Sequence, residues 1–470
     1  MTYFFETYGC EMNIAESAAV EQLFISRGWT KAQTPEIADM VIINTCSVRG
    51  SAENRIFGRL GYYSGVKKIR HKEPGAKTRL EEMQVAVKYV EENGVVPFYV
   101  VLMGCMAERL LDTVKKDYPV IDFAVGTFGK SKFGSIISAA EEHRQGFEIT
   151  EDAEYTFPKI SYEQEAFSTF VPIMHGCNNF CTYCIVPYFR GREVSRPAGQ
   201  ILAEIDYLSK RGVKEITLLG QNVNAYRCKD ETAEGGELNF PKLLKKISAH
   251  IDETSSPIKW IRFESSNPND FSDELIEMIA NDRHVCHGFH IAAQHGNTEV
   301  LRRMNRKNTR EEFLELVRKL RKAMPDVELI TDLMVGFPGE TEEQFNDILT
   351  FMDEIKFESA FMYYYNPREG TPAAKFENQV DLKIKKERLQ KVIDLQLKHT
   401  SEVMKSRLGR TIEVLADIVS RDDQSELLGK TEQNERVAFK ADKKLIGTFV
   451  KVRLDSLSGN TFRGTLIEEL

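Results

Sequence analysis

Along the first 150 residues short apolar runs alternate with longer stretches of helical spacing, and that alternation sets the expected fold. Tyr3 to Thr7 is an extended run. A helical stretch follows, with Ala15, Ala19 and Leu23 at four-residue spacing and Gly28 as its cap. Met40 to Asn44 and Phe98 to Met103 are strand-like and lead into helical residues, and the shorter Phe123 to Val125 precedes a helix ending near Glu142. Strand and helix in regular succession predict an open parallel α/β sheet. Cys10, Cys46 and Cys105 each fall two or three residues past the end of one of the first three strands. All three are therefore expected at the carboxyl edge of the sheet, where open α/β folds gather their ligands.

An acidic, aromatic connector from Glu148 to Phe167 has no periodicity and reads as a linker. Six strand candidates follow, at Phe170 to Met174, Glu215 to Leu219, Ile258 to Phe263, Gly288 to Ala292, Glu328 to Val335 and Ser359 to Tyr365. Helical stretches at Ala198 to Lys210, Pro241 to His250, Asp273 to Ala280, Arg310 to Ala323 and Glu342 to Ile355 separate them. This predicts a partial (β/α)6 barrel, two units short of closure and open on one side. A charged helix is expected from Leu382 to Arg407, ended by Gly409, and the short alternating segments after it predict a small C-terminal β-barrel. The expected class is α/β in three domains, 1–148, 163–400 and 401–470, in keeping with a length of 470 residues.

Composition narrows the setting. With 42% hydrophobic and 29% charged residues the chain reads as globular. The longest apolar stretch, Phe98 to Met103, is far short of the ~20 residues of a membrane helix, so a cytoplasmic protein without membrane association is expected. Eight cysteines then favour metal or redox chemistry over disulfides. A net charge of −8 excludes indiscriminate nucleic-acid binding but not a local site. Two basic segments, Lys67, Lys68, Arg70, Lys72, Lys77 and Arg79, and Arg302, Arg303, Arg306, Lys307 and Arg310, are either RNA contacts or solvated faces.

The most specific signal is Cys177, Cys181 and Cys184, a C-x3-C-x2-C run just after the first barrel strand, where barrel enzymes place active-site loops. Zinc needs four ligands, and no fourth cysteine or histidine follows nearby. Three thiolates suit a four-iron cubane, in which one iron is left without a protein ligand and is free to bind a substrate or cofactor. Cys228 and Cys286 match no cluster pattern and read as free thiols.

The run resembles the cluster motif of the radical S-adenosylmethionine superfamily. That resemblance implies that the open iron is chelated by S-adenosylmethionine, that reduction cleaves the sulfonium to a 5′-deoxyadenosyl radical, and that Tyr183 lies against the adenine. A narrower likeness covers nearly the whole chain. Thr7 to Asn13, Asn44 to Arg49 and Gly104 to Ala107 resemble the N-terminal motifs of methylthiotransferases, implying that Cys10, Cys46 and Cys105 hold a second, auxiliary 4Fe-4S cluster. Ile173 to Cys177, Leu218 to Tyr226 and Val335 to Thr341 are most similar to the tRNA, MiaB-type branch, and the last seventy residues resemble the RNA-contacting TRAM domain.

The likeness implies methylthiolation of C2 of N6-isopentenyladenosine at position 37, beside the anticodon, with two S-adenosylmethionine molecules and two 4Fe-4S clusters. It further implies Gln221 and Gly336 as cofactor-binding residues, the tRNA anticodon loop as partner, a flavodoxin or ferredoxin as electron donor, and a monomer. Threonylcarbamoyladenosine or a ribosomal-protein aspartate are alternative acceptors. A non-catalytic iron-sulfur RNA-binding protein is the alternative of a different class. Arg190 and Arg192 read as phosphate or carboxylate ligands or as structural salt bridges. His295 reads as a structural or pocket residue rather than a metal ligand. Residues 61–97 lengthen the family's spacing and are expected to loop outward or touch RNA, and the HIAAQHG run from His290 to Gly296 departs from the family pattern.

Overall fold

The computed structural model describes residues 1–46, 50–73, 81–144, 155–230, 234–421 and 423–470. Ser47, Val48, Arg49, Lys77, Arg79 and the connector positions 148–154 lie outside the described residues. Two compact units emerge: residues 1–178 with 185–196, and residues 179–184 with 197–470.

The first unit is built on a parallel sheet in the order Thr30–Lys31, Thr2–Thr7, Met40–Thr45, Tyr99–Gly104, Phe123–Val125. Because successive strand residues face opposite ways, Val41, Ile43, Val100 and Leu102 pack one face against Ile56, Leu60, Tyr63 and Val66. Tyr3, Met40, Ile42, Val101 and Met103 pack the other against Val20, Phe24, Ile136 and Ile137. With helices on both faces, the central strands are buried along their whole length, as parallel strands require. The four expected strands are present, and a short fifth, Thr30–Lys31, joins them at an edge.

Two expectations are corrected here. The described residues of 61–97 do not form an outward loop: helix Gly50–Arg70 runs through the first part, helix Glu82–Asn93 through the second, and Tyr63, Val66, Ile69, Met83 and Ala86 are core residues. Two of the basic residues follow the same logic, while Lys68 and Lys72 are exposed. Arg70 is fully buried and donates to the carbonyls of Glu36, Ala38 and Pro97, and Lys67 pairs with Asp122 at 2.7 Å, so neither is available to RNA. The connector is no loose linker either. Tyr155, Phe157 and Tyr162 are buried, and the Tyr162 carbonyl accepts from Gln22 at 2.7 Å.

In the second unit Glu215–Leu219, Trp260–Phe263, Gly288–His290, Glu328–Val335 and Ser359–Tyr364 form a parallel series. Direct pairing and the bridges Ile261–Val285 and Ser266–Ile291 link neighbours. The sixth barrel candidate is the strand Ser168–Pro172 of the first unit, and Met174–His175 pairs separately with Val194–Ser195. All five helices expected between the barrel strands form, at Ala198–Ser209, Phe240–Glu253, Asp273–Ala280, Arg310–Ala323 and Glu342–Ile355. Helix Leu382–Ser406 then leads into a closed five-stranded barrel, ordered Thr411–Val419, Glu426–Thr431, Arg436–Lys440, Thr461–Glu469, Phe449–Ser458. It is filled by Val414, Leu427, Phe439, Val450 and Phe462. Buried charges tie it to the parallel strands: Glu215 meets Arg262 at 3.0 Å and Lys430 at 2.6 Å, and Arg262 donates to the Thr431 carbonyl at 2.8 Å.

Candidate iron-sulfur and cofactor site

The first unit brings Cys10, Cys46 and Cys105 to one sheet edge. Cys10 is the N-cap of helix Glu11–Ser26, Cys46 directly follows strand Met40–Thr45, and Cys105 opens helix Cys105–Asp117 straight after strand Tyr99–Gly104. Asparagines hold the three turns together. Asn13 Oδ1 accepts from the Cys10 backbone and Sγ at 3.3 Å, while its Nδ2 donates to Asn44 Oδ1 at 2.9 Å and the Thr45 carbonyl at 3.1 Å. Asn44 returns a bond to the Asn13 carbonyl at 2.8 Å. Gly104, at φ +93°, has no room for a side chain, since a Cβ there meets the Thr45 carbonyl and Asn44.

Electrostatics favour an anion at this edge. A hydrogen bond with Cys46 and the nearby Arg190 charge bring the thiol of Cys10, an exposed residue, down to about 6, whereas burial raises that of Cys105. Arg190 is 3% exposed, pairs with Glu16 at 2.8 Å, and its charge is favoured by Cys105, Glu16 and Cys10 against the cost of burial. Lys130 also pairs with Glu16, leaving the trio one positive charge in excess. His175 stacks on Tyr155 at 3.5 Å, with Nδ1 3.5 Å from Arg190. Burial, then Arg190 and Lys130, keep His175 neutral. Glu16 Oε2, Arg190 Nη2, His175 Nε2 and the Tyr155 hydroxyl are buried without a hydrogen-bond partner among the described residues. Two cations and unsatisfied donors beside three thiols fit an anionic cluster. Arg190 is thus paired with Glu16 beside the cysteines, which favours the structural salt bridge among its alternative readings.

Cys177 belongs to the first unit, where its N–H donates to the Gly191 carbonyl at 3.2 Å, and Cys181 and Cys184 belong to the second. Gly176 sits at φ +78°, and a Cβ there would run into the carbonyls of Arg192 and Gly191. In the second unit, Cys184 N–H donates to the Cys181 carbonyl at 2.9 Å, and Thr182 is pinned by the carbonyls of Met304 at 3.0 Å and Arg303 at 2.9 Å. Tyr183 packs on a cluster with Met304, Met334, Phe337 and Tyr365. Burial and then the Cys181 charge push its hydroxyl up. Burial opposes the charge of Arg306, but Tyr183 and Cys181 stabilise it, and Arg306 donates to the Ala292 carbonyl. Part of the second basic segment is therefore built into the fold, since Arg310 also donates to the carbonyls of Gly296 at 3.1 Å and Asp347 at 2.8 Å, while Arg302 and Lys307 are exposed.

Gly336 adopts φ +69° against Lys385, and its N–H donates to Glu340 Oε2 at 2.9 Å. Glu340 also takes the Phe337 N–H at 3.3 Å, His295 Nε2 at 3.1 Å and Arg388 at 2.7 Å. His295 Nδ1 accepts from Asn297, so this histidine is neutral and structural. Gln221 lies two residues past strand Glu215–Leu219 and is half-buried; its neighbour Asn222 donates to Asp270 at 2.7 Å. Cys286 is buried and its thiol pushed up by burial, far from thiolate character. Glu340 and Gln294 lie in segments that the motifs mark, but no role attaches to either side chain, and Glu16 and Lys130 are not marked at all. Their signal was a polar residue at a helical or strand position that should face the core, as with Asn13, Glu16 and Ser17 on the buried side of the first helix.

Three cysteines on one parallel-sheet edge and a C-x3-C-x2-C run carry the ligand pattern of the radical S-adenosylmethionine class, and comparison with known proteins shows that the chain belongs to that class. Residues 171–352 match the Radical SAM superfamily, residues 2–126 the Uncharacterized protein family UPF0004, and residues 405–467 the TRAM domain. The chain is 47% identical to the tRNA-2-methylthio-N(6)-dimethylallyladenosine synthase of Treponema pallidum (strain Nichols), over 100% of this chain and 99% of that one. It is 46% identical to that of Treponema denticola, over 99% and 100%, and 37% identical to that of Geobacillus kaustophilus, over 99% and 82%. The chain belongs to this family of synthases. Among solved structures, the radical S-adenosylmethionine methyltransferase TsrM from Kitasatospora setae shares the fold, with a TM-score of 0.54 at 13% identity over 79% of this chain and 77% of that one.

Proposed function

We propose that this protein is a radical S-adenosylmethionine enzyme that places a methylthio group on C2 of N6-dimethylallyladenosine at position 37 of tRNA. The observation that carries the reading is full-length identity of 47% to a synthase named for that product, with all six motif cysteines at strand ends or in the barrel-opening loop. Cys10, Cys46 and Cys105 would hold one 4Fe-4S cluster and Cys177, Cys181 and Cys184 the other, the latter leaving one iron for S-adenosylmethionine. When bound, these groups supply one-electron cleavage of the sulfonium and the sulfur to be transferred, chemistry that no side chain here offers for an aromatic C–H bond.

The protein's own residues position and insulate these groups. Arg190 and Lys130 offset the negative charge at the first trio, and Arg306 does so at Cys181. Tyr183 would lie against the cofactor adenine, with Gln221 and Gly336 bounding the same pocket. Glu340 fixes the Gly336 loop by taking its backbone donors. The reading extends to three functional parts, 1–148, 163–400 and 401–470, with the TRAM barrel contacting RNA. It also extends to a cytoplasmic monomer reduced by a flavodoxin or ferredoxin. No described helix is long and apolar enough to cross a membrane.

The test is anaerobic: reconstituted protein, reductant, S-adenosylmethionine and tRNA carrying N6-dimethylallyladenosine, followed by nucleoside mass spectrometry. The methylthio nucleoside is expected. Radical production without it would redirect the acceptor to threonylcarbamoyladenosine or ribosomal protein. Cys181→Ala is expected to abolish 5′-deoxyadenosine formation while the other cluster's iron and absorbance persist; undiminished formation would remove the assignment.

A further inference from the structure

Resting on that reading, we propose that Phe361, His290 and Asp332 form the seat of the acceptor adenine, the phenyl ring stacking on the base and the histidine–aspartate pair reading its edge. Register puts the three on one face. Phe361 pairs with Asp332 and Tyr363 with Met334 across the last two parallel strands, and His290 pairs with Ile330, two residues from Asp332. Met334 packs with Tyr183, so this is the face that also carries the Cys181 and Cys184 loop. Along the strand, Phe361 stands two residues from Tyr363, roughly 7 Å. Tyr363 donates to Gln294 at 2.9 Å and feels the charges of both Asp332 and Cys184. The seat is therefore one step along the strand from Tyr363, which feels the Cys184 charge.

Phe361 is 55% exposed, more than any other aromatic side chain among the described residues, although it stands on a strand of the parallel series. Beside it the His290 ring presents an edge at 5.7 Å, and His290 Nε2 lies 3.1 Å from Asp332 Oδ2, both side chains about one-fifth exposed. Adenine has a large π-face, ring nitrogens that accept and, when singly alkylated on N6, one N6–H that donates. An exposed phenyl ring, an imidazole N–H and a carboxylate complement those features in turn. A flipped-out base needs such a platform, because leaving its stack forfeits the same contacts.

The experiment uses the reconstituted holoprotein and an anticodon stem–loop carrying N6-dimethylallyladenosine at position 37, compared with the same RNA abasic there. Phe361→Ala is expected to reduce the preference for the base-bearing RNA about tenfold or more, the size of a lost base–aromatic stack. Phe361→Leu, which keeps apolar bulk without a π-face, should fall with it and separates stacking from folding. Phe361→Trp should show fluorescence quenching with the base-bearing RNA alone. Asp332→Asn should lose discrimination against the N6-methylated analogue, which lacks the N6–H. Full preference in Phe361→Ala together with no quenching in Phe361→Trp overturns the seat. Product formation by the unsubstituted protein, measured in parallel, separates the two claims: product with unchanged preference removes only the seat, whereas no product removes the acceptor and the seat with it.

Discussion

Replacing Glu340 by Gln changes one buried atom and tests how the Gly336 loop is held. The carboxylate is 6% exposed and accepts on both oxygens: Gly336 N–H, Phe337 N–H and His295 Nε2 on one, Arg388 on the other. An amide cannot serve both sides. If its oxygen faces the loop, its NH2 meets the Arg388 guanidinium; if it faces Arg388, the NH2 meets three donors. Removing one partner of a buried ion pair costs about 3–5 kcal/mol. Here the cost is reduced because Arg388 keeps Glu342 at 3.1 Å and the Glu340 carbonyl at 3.2 Å, which gives about 2–4 kcal/mol. Trp29 lies in the first unit and Trp260 in the second, so urea unfolding followed by fluorescence in a Trp29→Phe background reports the second unit alone. At an m-value of about 3 kcal/mol per molar, the midpoint should fall by roughly 1 M. The pH dependence gives a second constraint. Burial would raise the Glu340 carboxyl, but bonds from His295 and Gly336 and the Arg388 charge hold it below its ordinary 4.5. A depressed folded value means that its stabilisation is complete above about 4.5 and is lost as pH falls through the folded value. The deficit of Glu340→Gln should therefore shrink below pH 4.5. A midpoint change under 0.3 M, roughly 1 kcal/mol, or a deficit that stays constant with pH, would refute the hub.

Two further substitutions probe the first unit, with Trp29 as sole reporter in a Trp260→Phe background. Gly176→Ala forces a β-carbon onto two backbone carbonyls at φ +78°, so a loss exceeding about 2 kcal/mol is expected, against under 1 kcal/mol for Gly134→Ala, whose surroundings are open. Arg190→Met leaves Glu16 buried with Lys130 alone; it should cost about 3–5 kcal/mol in urea unfolding and lower the potential at which the cluster on Cys10, Cys46 and Cys105 is reduced, measured with Cys177, Cys181 and Cys184 removed. An unchanged potential would mean that Arg190 acts only on Glu16.

Legibility in the sequence followed from how locally each feature is determined. The parallel strands could be read because a strand covered on both faces is a continuous apolar run, as in Met40 to Ile43 and Tyr99 to Met103, and runs of that kind mark their own ends. The cysteines could be placed because they follow those ends. The first helix could be located but its buried side could not. Its spacing pointed to Leu23, which is 39% exposed, while Asn13 and Glu16 are buried at 0% and 1%. A helix that turns asparagine and glutamate inward gives no amphipathic signal; it does so here because those side chains have partners 31 and 174 positions away, in Asn44 and Arg190. The same reason explains the misreading of residues 61–97. Arg70 and Lys67 look like surface charges until the carbonyls of Glu36, Ala38 and Pro97 and the carboxylate of Asp122 are brought to them. Charged residues placed by the fold rather than by their neighbours in sequence are those that need compensation, and one such group, Glu16, Arg190 and Lys130, lies beside Cys10 and Cys105. A cluster site therefore declares its ligands in the sequence through spacing. The balancing charges, Arg190 and Lys130 beside Cys105 and Arg306 beside Cys181, are distributed across other elements, and only the folded chain brings them to the cysteines.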